Sequence, residues 1–313
     1  MRKLTIKILL PLLACPLAAC GGEEHEVGVP SSLEQIPAVS LPVELQGLDG
    51  WEAFVSGTAE QVKEAIALLP AETGLSTTDA YGCTPLLFAI MKSADHEVVS
   101  ALLSAGAEVR AKGIMEKTSL MYASGGSDLA VVFILLEAGA DINAVDLMGA
   151  TALMYSTNSV NPEVVELLIR SGANVNTRNI TGRTALGYAA LNDSQLDVVE
   201  VLIQAGANLE ITTGLGISPL AEFAGGSNAA VVSRLLKAGA NVDSAGEYGY
   251  TPLMAAAMDS TDPDVISLLL KHGANVHLVS PDGRTAFDYA RDNPAISKDK
   301  VYLQLNGANS AED

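Results

Sequence analysis

Residues 139–172 read GADINAVDLMGATALMYSTNSVNPEVVELLIRSG, and the two glycines that bracket them, Gly139 and Gly172, decide the fold. The same short word returns along the chain as AGAEV, AGADI, SGANV, AGANL, AGANV and HGANV, and the chain ends near NGANS. Its glycines are Gly106, Gly139, Gly172, Gly206, Gly239, Gly273 and Gly307, at intervals of 33, 33, 34, 33, 34 and 34 residues. A period of this size marks stacked supersecondary units, each too small to bury its own apolar face. A second word keeps the register: TPL at Thr84, TSL at Thr118, TAL at Thr151 and Thr184, SPL at Ser218, TPL at Thr251 and TAF at Thr285. Each glycine precedes the next threonine or serine by 12 residues, and that residue precedes the next glycine by 21 or 22. The slack of one residue therefore always falls in the same half of the repeat.

That half reads as two helices. Leu153 and Tyr155 begin a short apolar segment, and Asn161-Pro162-Glu163 then has the form of a helix start: a capping side chain, proline at the first helical position and an acid in the first turn. Val164, Val165, Leu167, Leu168 and Ile169 follow, and Gly172 ends the segment because a left-handed cap residue is easiest for glycine. TDPDVISLLLKHG repeats the formula with Asp262, Pro263 and Gly273. The variable residue is expected in the turn between the two helices, where an insertion is tolerated. The constant half holds a second glycine ten residues after the first, at Gly149, Gly182, Gly216, Gly249 and Gly283, which predicts a short extended hairpin of fixed length.

Helix, turn, helix and hairpin at 33 residues, with T-P-L and G-A-[DN]-V, resemble the ankyrin repeat family over about residues 51 to 309. The resemblance implies an all-α repeat solenoid with short β-hairpin loops, a stack of about eight helix-turn-helix units whose first and last members are caps. Trp51 lies 33 residues before Thr84, so WEAFVSGTAEQVKEAIALLPAETG is read as a diverged first unit. The family often has histidine after T-P-L, where this chain has Leu87, Met121, Met154, Gly187, Ala221, Met254 and Asp288. That histidine ties hairpin to helix, so the tie is expected to rest on packing here. Glu116 stands where one hairpin should have its second glycine, which predicts an irregular tip.

The N-terminus addresses location. MRKLTIKILLPLLACPLAACGG places Arg2, Lys3 and Lys7 ahead of an apolar run to Ala19, the pattern of a secretory signal peptide and too short for a spanning helix. Leu17-Ala18-Ala19-Cys20 resembles the lipobox of bacterial lipoproteins. The resemblance implies cleavage before Cys20, lipid on its thiol, and, with Gly21 next, an outer membrane location facing the periplasm. An ordinary signal peptide with a chance cysteine is the alternative. Residues 20–50, with no clear period, read as the lipidated N-terminus and a flexible tether, leaving 51–313 as the repeat domain.

Composition narrows the function. The chain carries 18 basic and 37 acidic residues, net −19, and loss of the three basic residues of residues 1–19 makes it −22. This argues against nucleic acid, whose phosphates need basic patches. It argues equally against an anionic lipid surface, so membrane contact is expected only through the N-terminal lipid. It permits a basic protein partner through steering, although acids that simply keep an apolar stack soluble explain it as well. Cys83 reads as a packed apolar residue with no disulfide framework around it. No catalytic constellation stands out. His272 and His277 lack a third ligand, DSTDPD from Asp259 lacks calcium-loop spacing, and the column Met121, Met154 and Met254 reads as packing between repeats rather than a copper site. Neither cofactor nor metal is expected, and an enzyme is the least favoured class.

The aromatic residues carry more. Phe88, Tyr122, Tyr155 and Tyr188 share one repeat position, and stacking makes them a row on the first helices. The resemblance implies that first helices and hairpin tips line a concave face, the usual partner surface. The tips carry Ile114, Met115, Leu147, Met148, Ile180, Leu215 and Tyr248, with Tyr250 beside them, and apolar residues are unusual in turns. Tyrosine is enriched in binding hot spots. The row has two readings, a partner surface or rings packed inside each repeat with wet hydroxyls. The expectation is a monomeric envelope scaffold or adaptor that binds another protein. An immunity protein or inhibitor of a secreted toxin or envelope enzyme is the alternative.

Overall fold

Each unit begins where a hydroxyl side chain stops the preceding loop and caps a first helix. The hydroxyls of Thr84, Thr118, Thr151, Ser218, Thr251 and Thr285 each accept from the backbone N–H three residues on, at 3.2–3.4 Å. This satisfies a donor that the first helical turn leaves without a backbone partner. The computed structural model describes residues 53–306 apart from 70, 80, 81, 93, 94, 127, 159, 160, 192–195, 247 and 248. Cys20, the signal and tether segments, Trp51 and Tyr248 lie outside the described residues.

The described helices form eight pairs. They are α1 (Ala53–Ser56) with α2 (Ala59–Ala67), α3 (Pro85–Met91) with α4 (His96–Ser104), α5 (Ser119–Gly125) with α6 (Leu129–Glu137), and α7 (Ala152–Ser156) with α8 (Pro162–Arg170). Then come α9 (Ala185–Leu191) with α10 (Leu196–Gln204), α11 (Pro219–Gly225) with α12 (Ala229–Lys237), α13 (Pro252–Asp259) with α14 (Pro263–Lys271), and α15 (Ala286–Ala290) with α16 (Val301–Gln304). Odd-numbered first helices pack on one another in one layer, and even-numbered second helices α2 to α14 do the same in a second layer. From α4 to α14 every second helix begins ten residues before its closing glycine, so the variable residue does sit in the turn between the helices. Among the described residues no helix is long and apolar enough to cross a membrane.

The core repeats a small set of side chains. Leu153 from a first helix meets Val164, Val165 and Leu168 from the second, all essentially without exposure, and Leu120 with Val131, Val132 and Leu135 is the same set one unit earlier. Burial of each such side chain is worth about 1.5–3 kcal/mol. The methionine column Met121, Met154 and Met254 is 1% exposed in each case, so it is packing between units. Cys83 is likewise 1% exposed, its Sγ 3.6 Å from Met91 Sδ, and burial pushes its thiol up.

The loops between units differ from the expected hairpins. Among the described residues there is no strand, only one isolated bridge between Lys112 and Thr118. The reason is that the fixed-length half is spent on two successive turns. In the second turn two backbone bonds close the tip, as Asp146 N to Ala150 O (3.1 Å) with Gly149 N to Asp146 O (2.9 Å), or Asn179 N to Arg183 O (2.9 Å) with Gly182 N to Asn179 O (2.9 Å). The residue at its entry also fills it: Asp146 Oδ1 accepts from Met148 N and Ala150 N, both at 2.8 Å. Too few residues remain for a ladder within one loop. Glu116 confirms the irregular tip, since it and Met115 take φ of 58° and 60°, a region that favours glycine.

The first turn joins one unit to the next. The residue two after the glycine accepts from the N–H of the residue four after it, as Asn174 Oδ1 does from Asn176 N (3.0 Å). The latter side chain then crosses to the next unit. Asn143 Nδ2 donates to Gly172 O (3.2 Å) while its Oδ1 accepts from Asn174 N (2.9 Å), and Asn176 does the same with Gly206 O and Asn208 N. Glu210 and Asp243 occupy the same position but can only accept, from Asn241 N and Asn275 N. Asp243→Asn should add the missing donor toward Gly273 O and stabilise the chain by about 1 kcal/mol. Urea unfolding of the two proteins measures this, and an unchanged or lowered midpoint would refute it.

Candidate functional site: the first-helix face and the hairpin tips

The tips are held in register before any partner arrives. Leu147 N donates to Met115 O (3.0 Å), Ile180 N to Met148 O (3.0 Å) and Gly214 N to Thr181 O (2.7 Å). The ladder absent within each loop therefore runs between loops, from unit to unit. It sets out the side chains expected there. Ile114, Met115, Leu147, Ile180 and Leu215 are 43, 40, 55, 66 and 55% exposed, and Met148 is half-buried. A row of neighbouring apolar side chains facing solvent at fixed spacing is unusual for turns.

The aromatic row lies beside the tips, and its hydroxyls are not simply wet as the packed reading had them. Phe88, Tyr122, Tyr155 and Tyr188 are all half-buried. The three tyrosine hydroxyls are bonded to the tip of their own unit. Tyr155 Oη donates to Asp146 Oδ2 (2.6 Å), Asn179 Nδ2 donates to Tyr188 Oη (3.1 Å), and Tyr122 Oη donates to Ile114 O (3.4 Å). Tyr289 Oη donates to Asp282 Oδ1 (2.9 Å) and lies 3.0 Å from Ser280 Oγ. The expectation that packing carries more of the tie between hairpin and helix is thus corrected. A tyrosine one position later than the family histidine makes the hydrogen bond. Burial raises the phenols of Tyr188 and Tyr289, which keeps them neutral donors and acceptors. Tyr250 is half-buried with its ring 6.1 Å from that of Tyr289.

Glu222 continues the row in the fifth full unit, and reading by residue type alone missed it. It sits four residues after Ser218, as Tyr155 does after Thr151. Arg183 Nε and one terminal nitrogen bond its Oε1 at 3.1 and 2.7 Å, with side-chain exposures of 16% for the arginine and 9% for the acid. Its Oε2 is buried without a partner. Gly187 makes the room: a Cβ there would lie 3.4 Å from Oε2, where other units put Met121 or Met154. Burial, opposed by Arg183, pushes the Glu222 carboxyl up to about 6. Because that value lies above the ordinary 4.5, folding favours the neutral acid; its contribution is fully present below about pH 4.5 and is lost as pH rises through about 6. The stability difference between the native chain and Glu222→Gln should therefore shift toward the native chain as pH falls from 7 to 5. Paired unfolding curves at both pH values check this, and a pH-independent difference would contradict it.

No group of three or more metal-ligating side chains occurs among the described residues. His272 ends α14 with Nδ1 2.8 Å from Leu268 O, a capping contact.

No curated protein matches the chain. Among solved structures, the human ASB11 ankyrin repeat domain is 28% identical, with a TM-score of 0.63 over 71% of this chain and 98% of that one. The ankyrin repeat domain of Bcl-3, described as a unique member of the IkappaB protein family, is 27% identical, with a TM-score of 0.61 over 72% of this chain and 99% of that one. The family profile described as Ankyrin repeats (3 copies) matches residues 51–146, 120–213 and 220–298. The 33-residue period, the paired helices and these matches agree, and the chain belongs to the ankyrin repeat family.

Proposed function

We propose that this chain is a non-catalytic binding protein, a scaffold or adaptor that holds another protein against its first-helix face and hairpin tips. Ankyrin repeats are generally protein–protein interaction modules. The observation that carries the reading here is the line of exposed Ile114, Leu147 and Ile180, fixed in spacing by the backbone bonds between tips. A rigid apolar row needs little ordering on association, so more of its burial is realised as affinity. The half-buried rings of Tyr122, Tyr155 and Tyr188 extend the surface inward from the tips.

The tip residues are the decisive ones to change, because the tyrosine hydroxyls also hold the loops. Leu147→Ser with Ile180→Ser should reduce crosslinking to the native partner in cells by at least about tenfold, equivalent to a loss of about 1.4 kcal/mol. The thermal midpoint should stay near that of the native chain, since both side chains are exposed. Undiminished crosslinking by a folded double variant would overturn the reading.

The location proposed is the cell envelope, facing the periplasm, on an N-terminal lipid at Cys20. The support is the basic start, apolar run and Leu17-Ala18-Ala19-Cys20 word of the sequence. A tether over residues 21–50 would let the stack, residues 51–313, reach partners away from the bilayer. Cys20→Ser should move the protein from the membrane fraction to the soluble fraction on cell lysis; retention in the membrane fraction would refute the anchor.

A further inference from the structure

The net charge of −19 is unevenly placed. The first helices α3, α5, α7 and α9 contain no aspartate or glutamate. Their partners do: Glu97 in α4, Glu137 in α6, Glu163 and Glu166 in α8, and Asp197 and Glu200 in α10. The position just before the first-helix cap is cationic in three units, as Lys117, Arg183 and Arg284. The acid-rich surface and the first-helix face are thus separate layers of the stack.

The cations on the first-helix face sit among the aromatic rings. Lys117 Nζ stands 4.5 Å from the centre of the Tyr155 ring and 5.8 Å from that of Tyr122. Lys92 Nζ stands 5.9 Å from the Phe88 ring. Stacking of this kind holds a charge in place at the surface. Arg178 is exposed, with its guanidinium pinned on Gly182 O (3.2 Å) and Thr212 O (3.1 Å) beside the Ile180 tip. Carbonyl partners orient it and leave its charge intact. The acids nearby are engaged: Asp146 is 5% exposed and bonded by Tyr155, and Glu116 pairs with Lys112 at 2.9 Å.

Distance decides which charges a bound segment would feel. Packed helix layers lie about 8–10 Å apart, and the Debye length at physiological ionic strength is about 8 Å. The carboxylates on the outward faces of α4 to α10 are therefore screened from a ligand lying on the first helices, whereas Lys92, Lys117 and Arg178 would touch it. Local complementarity, rather than net charge, then selects the partner.

We propose that the first-helix face of α3 to α9 takes an acidic segment of a partner protein. The segment's apolar side chains rest on the tips at Ile114, Leu147 and Ile180, and its carboxylates meet Lys92, Lys117 and Arg178. This rests on the reading of that face as the partner surface, and it reverses the partner charge that the net charge by itself suggests. Stacked helices about 10 Å apart require apolar anchors at that spacing, one for each unit.

Three short fluorescent peptides with identical leucine spacing, carrying glutamate, lysine or glutamine between the leucines, test this by anisotropy with the full chain. The glutamate peptide should bind at least about tenfold more tightly than the lysine peptide near 0.15 M salt, and the preference should shrink as salt screens it. Lys117→Gln together with Arg178→Gln should remove most of the preference, while Lys237→Gln on α12 should leave it unchanged. Circular dichroism establishes that each variant is folded, and Arg178→Gln alone serves if the pair is not. Equal or tighter binding of the lysine peptide overturns the proposal, as does an equal loss with Lys237→Gln. If the lysine peptide wins and Leu147→Ser still abolishes its binding, the face reading survives and only the charge assignment falls. If no peptide binds and cellular crosslinking ignores the tips, both fall.

Discussion

A single side chain bridges the joint between neighbouring units in the middle of the stack. Asn143 gives its amide N–H to Gly172 O and takes a bond from Asn174 N, so it holds both ends of the turn that opens the next unit. Those two backbone groups lie at a helix C-terminus and the turn after it, where no helical partner exists for them. The glycine supplies the left-handed backbone, with φ of 99° at Gly172, that brings them together. This arrangement fixes the join between one unit's closing turn and the next, while burial of the repeated valines and leucines sets the stacking of the helix layers. Where the position is Glu210 or Asp243 only the accepting half survives, so the brace is asymmetric along the chain.

Rigidity of the tips follows from that spacing and from two further sets of bonds. Backbone bonds such as Ile180 N to Met148 O run between loops, and the hydroxyls of Tyr122, Tyr155 and Tyr188 tie their loops to their own first helices. Both are short-range polar interactions inside a half-buried layer, where an unmade bond is costly. Exposed Leu147 and Ile180 are consequently presented on a fixed frame rather than on free loops. The fifth full unit departs from this plan. Glu222 replaces the tyrosine, Arg183 reaches across from the unit before, and the space left by Gly187 receives the carboxylate. The result is an ion pair at the position where the preceding unit has the Tyr188 ring, with a titration point moved toward neutrality.

The separation of charge has a simple origin. Second helices meet solvent on their outer side, and acids such as Glu163 and Glu166 keep an apolar helix soluble there. First helices are flanked by the loops and need small or ring-bearing residues on the same side, as in ALMYS and ALGYAAL. Cations enter through the loop position before the cap, where Lys117 and Arg284 lie over the rings of Tyr155 and Tyr289. Net charge averages over the layers and conceals the difference.

The sequence by itself determined the period, the helix pairs and their caps, because these depend on local chemistry: Thr151 as a cap, Pro162 at a first helical position, Gly172 at a stop. It also determined that Ile114, Leu147 and Ile180 would face solvent, since apolar residues at turn tips have no interior to enter. Only the tertiary structure decided what lies between units. The second role of Asn143, the ladder joining Leu147 to Met115, and the pairing of Arg183 with Glu222 each join residues about a repeat apart, and nothing local requires them. Of the residues four after the glycines, Arg110, Asn143, Asn176, Glu210 and Asp243 are polar, but nothing in the sequence marks them as a brace. A side chain's partner in the next unit exists only once the units are stacked, and the stacking is set by burial of the shared core rather than by any single residue.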